Sequence, residues 1–475
     1  MYRLIILILF IVPFGIDTVL SQQQKVAGLR QSVEVIRDNY GINHIYAQNE
    51  YDLFFSQGYC AARDRLFQFE IWRRQATGAT AEILGKRELN RDIGTRLFKF
   101  RGDLRTELNH YHPRGEQIIL AFTDGINACI REALKNKASL PIEFKLLGIE
   151  PGLWTPDVVI SRHQGLLGNI GEEIQTARRV ATLGAEKVKE LGVFAPGDPL
   201  LDIDPSINSE RLFDDITGIF NAYRNPLTFT PEDILSSAAT GADYRRSAQA
   251  DMEAYQSLME MDRNLIGSNN WVVSGEHSQS GYPLLANDPH RAITVPSLRY
   301  MVHLNAPGWN VLGGGEPTIP GISIGHNDHG AWGITFFSID GEDLYVYKLN
   351  PLNQLQYEYQ GRWEDMRVIR DTIKVKASKD VIVEHKYTRH GPVTFLDEKN
   401  NIAYAMRCAW LETGCSPYLA SLKIDQAKNW NEFREACKFS YIPGENIIWA
   451  DREGNIGTVP AKHTSAIQRI LGYCQ

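Results

Sequence analysis

Gly267-Ser268-Asn269-Asn270-Trp271-Val272-Val273 is the stretch around which the rest of this sequence can be interpreted. A serine follows a glycine where an apolar, β-branched run begins, and this pattern predicts a buried strand that would hold Ser268 rigidly. Glycine tolerates strained backbone angles and has no side chain to shield its carbonyl. We therefore predict that Ser268 Oγ attacks the Gly267 carbonyl, converts the peptide bond to an ester and, after hydrolysis, becomes a new N-terminus.

Such an N-terminal serine would combine two roles in one residue. Acyl transfer needs a nucleophile, a base in contact with it, and hydrogen-bond donors placed where the oxyanion forms. The freed α-amine of Ser268 has a reference pKa of about 8 and lies one short side chain away from its own hydroxyl. Ser268 would therefore supply both the nucleophile and the base.

Four matches in one register connect this stretch with a known family. They are residues 268–273, 284–290 (LLANDPH), 321–327 (GISIGHN) and 331–333 (AWG). Together they resemble the start of the β subunit in the penicillin acylase family of N-terminal nucleophile hydrolases, which includes penicillin, cephalosporin and acyl-homoserine-lactone acylases. The resemblance implies an α+β chain with a four-layer αββα fold. It also implies self-cleavage between Gly267 and Ser268, and hydrolysis of a linear N-acyl amide through an acyl-enzyme.

The first half of the chain has the pattern of a helical subunit. Alternation on either side of Gly41 predicts a β-hairpin, and apolar residues spaced three and four apart predict amphipathic helices over residues 52–76 and 119–133. The order of these motifs resembles the family's α subunit. We assign residues 22–195 to an α-subunit region and the strand-rich residues 268–475 to the N-terminal part of a β subunit. Strands are predicted over residues 300–304, 332–337, 344–348 and 381–387.

Between these two parts the composition changes. Residues 196–267 are richer in aspartate, serine and proline, and their hydrophobic periodicity is weak and broken. The resemblance implies a spacer peptide that covers the cleft and is removed after self-cleavage. A folded helical insert is the alternative.

Three further site residues follow from the resemblance. His290 aligns with the residue that lies beside the nucleophile and orients its amine, although a histidine of the core is the alternative. Phe336 would offer its backbone N–H to the oxyanion, a role that does not depend on its side chain. Ile324 falls where the family lines its acyl pocket.

An acidic turn predicts a cation. Asp340-Gly341-Glu342-Asp343 places carboxylates and a carbonyl close together, and such hard oxygen ligands suit calcium. By the resemblance Asp340, Glu342 (through its carbonyl) and Asp343 are ligands from the β subunit, and Glu173 is a ligand from the α subunit. The ion would be structural and would bridge the two subunits. An acidic surface turn, and a solvated helix charge at Glu173, are the alternatives.

Bulk properties exclude some partners and suggest export. The net charge of −7 and the pI near 6.0 give no basic field for nucleic acid or anionic lipid. Residues 1–21 combine a basic start, a short apolar segment and a small-residue cleavage site, which predicts a secretory signal. An uncleaved anchor is the alternative. No later stretch is long and apolar enough to span a bilayer, so we expect a soluble periplasmic or secreted protein.

The six cysteines are too few and too scattered for a disulfide scaffold, and no Cys-x-x-Cys pair suggests zinc. Cys408 and Cys415 are close enough in sequence for a loop bridge, but their pairing stays open.

A second serine motif offers a different enzyme class. Gly321-Ile322-Ser323-Ile324-Gly325 fits the nucleophile elbow of an α/β hydrolase, which must lead into a helix. The residues that follow carry no helical apolar stripe, so this alternative is disfavoured. His326 and His329 lack a third metal ligand nearby, and we expect them to form turn hydrogen bonds instead.

The resemblance stops after Gly457, where the family's β subunit would continue for a long way. We therefore predict a C-terminally truncated chain. The missing part would hold the asparagine that completes the family's oxyanion hole, and loss of one such donor typically costs about a hundredfold to a thousandfold in turnover. The rival hypothesis is a non-catalytic secreted protein of the same fold that binds calcium or acylated ligands.

Overall fold

A computed structural model describes residues 23–161, 168–192, 200–203, 207–235, 267–290, 294–337 and 339–461. The predicted signal at residues 1–21 lies outside them. The α-helices are α1 Glu50–Thr77, α2 Ala81–Leu84, α3 Leu89–Leu97, α4 Leu104–His110, α5 Gly115–Lys135, α6 Ile142–Leu147, α7 Pro156–Ser161, α8 Ile170–Leu183, α9 Ala185–Leu191, α10 Gly218–Arg224, α11 Ser421–Ile424 and α12 Trp430–Cys437.

The strands confirm the strand-rich second half. They are β1 Glu34–Arg37, β2 Asn43–Tyr46, β3 Ser268–Val273, β4 Leu284–Pro289, β5 Tyr300–Ala306, β6 Trp309–Gly315, β7 Ile324–Asn327, β8 Gly330–Phe336, β9 Glu342–Asn350, β10 Asn353–Tyr359, β11 Arg362–Asp365, β12 Arg367–Ile373, β13 Val381–Thr388, β14 Gly391–Asp397, β15 Ile402–Cys408, β16 Glu445–Asp451 and β17 Ile456–Ala461.

Two large sheets organise the described residues. The first has eight strands in the order β1-β2-β5-β6-β7-β8-β16-β17, and the second has seven in the order β11-β10-β9-β15-β14-β13-β12. The predicted hairpin around Gly41 is the antiparallel pair β1–β2. Strand β2 then pairs in parallel with β5, so the first half of the chain contributes two strands to the larger sheet.

Helices α1 and α5 form the layer against the larger sheet. Asn49 caps α1, because its side-chain oxygen accepts the Asp52 N–H at 2.9 Å. The two helices approach so closely that a Cβ on Gly58 would lie 2.1 Å from the Phe122 carbonyl oxygen, and a Cβ on Gly125 1.9 Å from that of Phe55. Only glycine fits at either position. The sheet side of α1 is buried in the same hydrophobic cluster as β5, β6 and β8.

The hairpin β3–β4 lies on the other side of the larger sheet, against β8 and β16. It is a separate two-stranded sheet and the third layer of the fold. The prediction that residues 268–273 form a buried strand is wrong in one respect. The outward side chains of Trp271 and Leu284 are each 54% exposed, because the hairpin buries only its inner face. The α+β class is confirmed. An α layer, the eight-stranded sheet and the two-stranded β3–β4 sheet pack on one another, and the described residues also include the seven-stranded sheet.

Part of the predicted spacer is folded onto the helical region. Phe220 of α10 is buried beside Phe98, and the Arg91 guanidinium donates to the carbonyl oxygens of Asn225 (2.7 Å) and Pro226 (3.0 Å). The weak periodicity of this segment therefore conceals ordered structure over residues 207–235. Removal of residues 196–267 after cleavage stays a prediction.

The five cysteines within the described residues, Cys408 and Cys415 included, are buried free thiols. A loop bridge between those two is absent. Among the described helices, none is long and apolar enough to cross a bilayer.

One buried carboxyl should make stability depend on pH. Glu445, 4% exposed, begins β16, and burial raises its pKa to about 7 although Ser440 donates to Oε2 at 3.2 Å and Arg299 lies near. A raised carboxyl pKa means that the folded chain favours the protonated form. The contribution of the protonated Glu445 carboxyl to folding stability is therefore fully present below pH 4.5 and is lost as pH rises through 7. We expect Glu445→Gln to stabilise the chain at pH 8 by up to about 3 kcal/mol and to leave stability near pH 4.5 unchanged.

Urea unfolding of both chains at pH 4.5 and pH 8 measures this effect. The exposed Glu453→Gln substitution is the control, and it should change neither value. An equal stability difference at the two pH values would mean that the Glu445 charge is not the cause.

Candidate active site

Ser268 is the first residue of β3 and lies at one end of the hairpin, half-buried. Its Cα pairs with that of Pro289, and the hairpin ladder continues one residue further because the His290 N–H donates to the Gly267 carbonyl oxygen at 2.9 Å. The predicted scissile bond is therefore held by backbone pairing on both sides. This pairing fixes the orientation of the Gly267 carbonyl.

His290 lies directly beside Gly267. A Cβ on Gly267 would be 3.5 Å from His290 Nδ1. The other ring nitrogen, Nε2, lies 3.3 Å from both Asp288 Oδ2 and Asn269 Nδ2. Burial alone would raise the pKa of Asp288, but hydrogen bonds from His290 and Asn269 hold it below its usual value. His290 is thus an exposed side chain beside Gly267, and the alternative of a core histidine is wrong.

Asn287 attaches the hairpin to the sheet. Its Nδ2 donates to the carbonyl oxygens of Asn269 (2.9 Å) and Ile334 (3.0 Å), and its Oδ1 accepts the Ile334 N–H at 3.1 Å. A Cβ on Gly333 would lie 2.7 Å from Asn287 Cβ, so the glycine makes room for this side chain. The Asn287 amide therefore pairs with the N–H and the carbonyl of Ile334 in the way that a neighbouring strand would.

The backbone of Phe336 reaches the same end of the hairpin. Along β4, Leu285 lies near the start of β8 and Asn287 contacts Ile334 further along it. Ser268 pairs with Pro289, two residues beyond Asn287, so it lies toward the Phe336 end of β8. The Phe337 N–H donates to the Gly444 carbonyl oxygen of the β16 side at 2.9 Å. Because N–H directions alternate along a strand, the Phe336 N–H points away from β16, as the Ile334 N–H does. This direction is compatible with an oxyanion donor.

Ile324 lies on the hairpin side of the larger sheet. Gly325 pairs with Trp332, whose ring belongs to the helix-facing core, so strand alternation directs Ile324 to the opposite face, although its half-buried side chain also packs against the edge of that core. Gly333, next to the hairpin, faces the same side. The structure therefore places His290 beside the Gly267–Ser268 bond at the end of the hairpin, and Phe336 and Ile324 on strands β8 and β7 of the larger sheet.

The nucleophile-elbow alternative at Ser323 is excluded. Ser323 leads into strand β7, and β8 follows after a tight turn, whereas an elbow serine must lead into a helix. Ser323 is also buried. In the turn after β7, Asn327 Oδ1 accepts the N–H groups of His329 (2.8 Å) and Gly330 (3.0 Å). This turn is thus held by backbone N–H groups, and hydrogen bonds of the His326 and His329 side chains stay a prediction.

The predicted metal ligands come together around Asn169, just before α8. Asn169 Nδ2 donates to Asp340 Oδ1 (2.9 Å), to the Glu342 carbonyl oxygen (3.1 Å) and to Glu173 Oε1. Its Oδ1 accepts the N–H groups of Gly341 and Glu342, each at 3.0 Å. Three oxygens of the predicted ligand set therefore converge on one nitrogen atom.

The charges of this cluster are poorly compensated. Burial is the main cause that raises the pKa of Glu173 to about 7, and the negative charges of Asp340 and Asp343 add to it. Burial and Asp340 also raise the pKa of Asp343 to about 6, and Asp343 Oδ2 is buried without a hydrogen-bond partner. The Glu342 carboxylate is turned elsewhere, toward Trp410 Nε1 at 2.7 Å, so only its carbonyl faces the cluster.

These residues fit calcium in chemistry, because every converging group is an oxygen and one carboxylate oxygen is orphaned. Across the described ranges, however, no group of three or more Asp, Glu, His or Cys side chains is arranged to chelate a metal as it stands. The Asn169 amide lies among the oxygens instead, and a bound ion requires it to move.

Sequence reasoning missed Asn169 and Asn287. Asn287 lies inside the matched LLANDPH segment, but a strand asparagine gives no signal of its own. Asn169 precedes Glu173 by four residues, one helical turn, which offered a weak signal. Both also bond partners 47 or more residues away in the chain.

Most of this chain is similar in sequence to known proteins. The family model described as penicillin amidase matches residues 32–469. Penicillin acylase 2 proenzyme from Pseudomonas sp. (strain SE83) is 29% identical over 92% of this chain and 53% of its own length. Acyl-homoserine lactone acylase QuiP from Pseudomonas aeruginosa is 27% identical over 95% of this chain and 50% of its own. A solved thermostable penicillin G acylase from Alcaligenes faecalis is 31% identical, with a TM-score of 0.38 over 41% of this chain and 35% of its own.

The chain belongs to the penicillin amidase family, because the family model covers most of its length. It spans about half the length of the curated relatives it matches.

Proposed function

We propose that the chain is the precursor of an amidohydrolase that cuts itself between Gly267 and Ser268 and then hydrolyses a linear N-acyl amide. The observation that carries this proposal is the position of Ser268 at the first residue of a strand, with the preceding carbonyl held by the His290 N–H. That contact orients and polarises the carbonyl that Ser268 Oγ attacks. Its relatives, which are named as acylases, support the same reaction class.

In the proposed reaction Ser268 Oγ attacks the amide carbonyl of the substrate, and the α-amine of the same residue takes the hydroxyl proton through a water. The amine of the substrate leaves with a proton, and an ester to Ser268 remains. A second water hydrolyses that ester and releases the acid. The Phe336 N–H is one donor to the oxyanion, and Ile324 lines the acyl side.

The hydrogen-bonded set His290, Asp288 and Asn269 would position the amine. Asp288 Oδ1 also accepts the Asn269 N–H at 2.9 Å, so the set is tied to the backbone next to Ser268. These three residues are therefore held in a fixed position relative to β3, the strand that begins with Ser268.

Calcium is the proposed cofactor, held by Asp340, the Glu342 carbonyl, Asp343 and Glu173. The ion would supply charge compensation between the α8 region and β9, at a distance from the reacting atoms. Export through the segment 1–21, to the periplasm or outside the cell, also belongs to this proposal.

Intact mass of the purified chain tests the cleavage. We expect two polypeptides, the second of which begins at Ser268 by N-terminal sequencing. The same preparation should release acid from a series of N-acyl amides of increasing acyl length that share one chromogenic amine. The dependence of turnover on acyl length then defines the substrate class.

A single unbroken chain without amide hydrolysis would contradict the proposal. If that unbroken chain still bound calcium or acylated amines in calorimetry, the rival hypothesis of a non-catalytic binding protein would replace it.

A further inference from the structure

The Asn169 side chain connects two parts of the fold that are far apart in sequence. It precedes α8, and all but one of its five hydrogen bonds go to the segment 340–342 at the start of β9. Cleavage between Gly267 and Ser268 would leave α8 and β9 on different polypeptides. This amide would therefore join the two chains of the cut protein.

The donor side of this amide is overcommitted. An asparagine Nδ2 carries two hydrogens, yet oxygen atoms of Glu173, Asp340 and Glu342 all lie within hydrogen-bonding distance of it. A partly positive group thus occupies the point on which negative and partly negative oxygens converge. A divalent ion would satisfy the same oxygens more completely, because it accepts six or more oxygen ligands at once.

We propose that the Asn169 Nδ2 group and a calcium ion alternately occupy the position between these oxygens. In the ion-free chain the Nδ2 group bridges the oxygens and keeps α8 on β9. When the ion binds, the Nδ2 group withdraws, because its hydrogens carry the same sign of charge as the ion. This inference rests on the calcium part of the proposed function and adds a residue that lets the junction survive without the ion.

A substitution to aspartate separates the two states. Asn169→Asp keeps the Oδ1 acceptor for the Gly341 and Glu342 N–H groups, but replaces the donor with a carboxylate oxygen. Without calcium that oxygen faces three other oxygens and repels them. With calcium it becomes one more ligand. The variant should therefore depend on the ion far more than the natural chain does.

Thermal unfolding in CaCl2 and in EDTA measures this dependence. In EDTA we expect Asn169→Asp to unfold about 4 °C or more below the natural chain. In calcium we expect it to unfold at or above the temperature of the natural chain. Measurement in a Ser268→Ala background as well makes the result independent of self-cleavage.

Asn127→Asp is the matched control. The Asn127 side chain also makes two hydrogen bonds to backbone groups. Its Nδ2 donates to the Trp154 carbonyl oxygen at 2.9 Å, and its Oδ1 accepts the Trp154 N–H at 2.8 Å. Its substitution should lower the unfolding temperature equally in calcium and in EDTA.

Two results would overturn the inference. If Asn169→Asp behaves as Asn127→Asp does, Asn169 is only a structural amide. If calcium changes the unfolding temperature of none of the chains, the alternation and the calcium site both fail. The mass test for cleavage at Ser268 would remain a separate question.

Discussion

Ser268→Ala should yield a single chain of full mass that hydrolyses no amide. Without the hydroxyl there is no atom to attack the Gly267 carbonyl, so neither the ester nor the new α-amine forms. Both the nucleophile and the base are lost by one substitution, and turnover should fall by a factor of at least about 10⁴. Intact mass spectrometry and the chromogenic amide assay measure the two effects on one preparation.

Ser323→Ala is the matched control for this experiment. Ser323 has the same side chain, but it is buried and leads into β7 of the larger sheet. We expect this variant to be cut and active. Complete cleavage of the Ser268→Ala chain between Gly267 and Ser268 would refute the mechanism.

Asn287→Ala should loosen the nucleophile strand and slow self-cleavage by about tenfold to a hundredfold. The substitution removes three hydrogen bonds and leaves both the N–H and the carbonyl of Ile334 without their side-chain partner. Buried groups left in this way cost about 1 to 3 kcal/mol each, so the loss of partners for these two groups should lower stability by about 2 to 6 kcal/mol. A shift of the hairpin by about 1 Å is enough to produce the loss in rate. Time-resolved mass of freshly refolded chain gives the rate, and urea unfolding gives the stability.

Asn270→Ala is the comparison within the same hairpin. Asn270 makes one hydrogen bond to the sheet, from Nδ2 to the Asn446 carbonyl oxygen at 3.2 Å. Its loss should cost about 1 kcal/mol and change the cleavage rate little. If the two variants are cut at the same rate, Asn287 does not position the nucleophile.

Local signals in the sequence predicted most elements of the fold. The helix expected over residues 52–76 is α1 Glu50–Thr77, and the strand expected over residues 381–387 is β13 Val381–Thr388. These patterns repeat within a few residues, so they can be read from one segment at a time. The folded structure of residues 207–235 was predicted only as an alternative, because α10 is short and is stabilised by distant residues such as Arg91.

The site was only partly predictable for the same reason. The resemblance indicated Ser268, His290, Phe336 and Ile324, and the structure places His290 beside the Gly267–Ser268 bond. The two amides that organise the surroundings, Asn169 and Asn287, depend on the register between segments that only tertiary structure brings together. The exposure of Trp271 likewise depends on what covers the hairpin and not on the sequence of the strand.

The parallel pairing of β2 with β5 has a consequence for the proposed cut. Residues 43–46 hydrogen-bond along residues 302–305, and these two segments lie on opposite sides of the Gly267–Ser268 bond. After the cut, the two polypeptides would still be joined by the backbone hydrogen bonds between β2 and β5. In the uncut chain the covalent connection brings β2 and β5 together as the protein folds. Two polypeptides separated after the cut would lack that connection, so maturation would be irreversible.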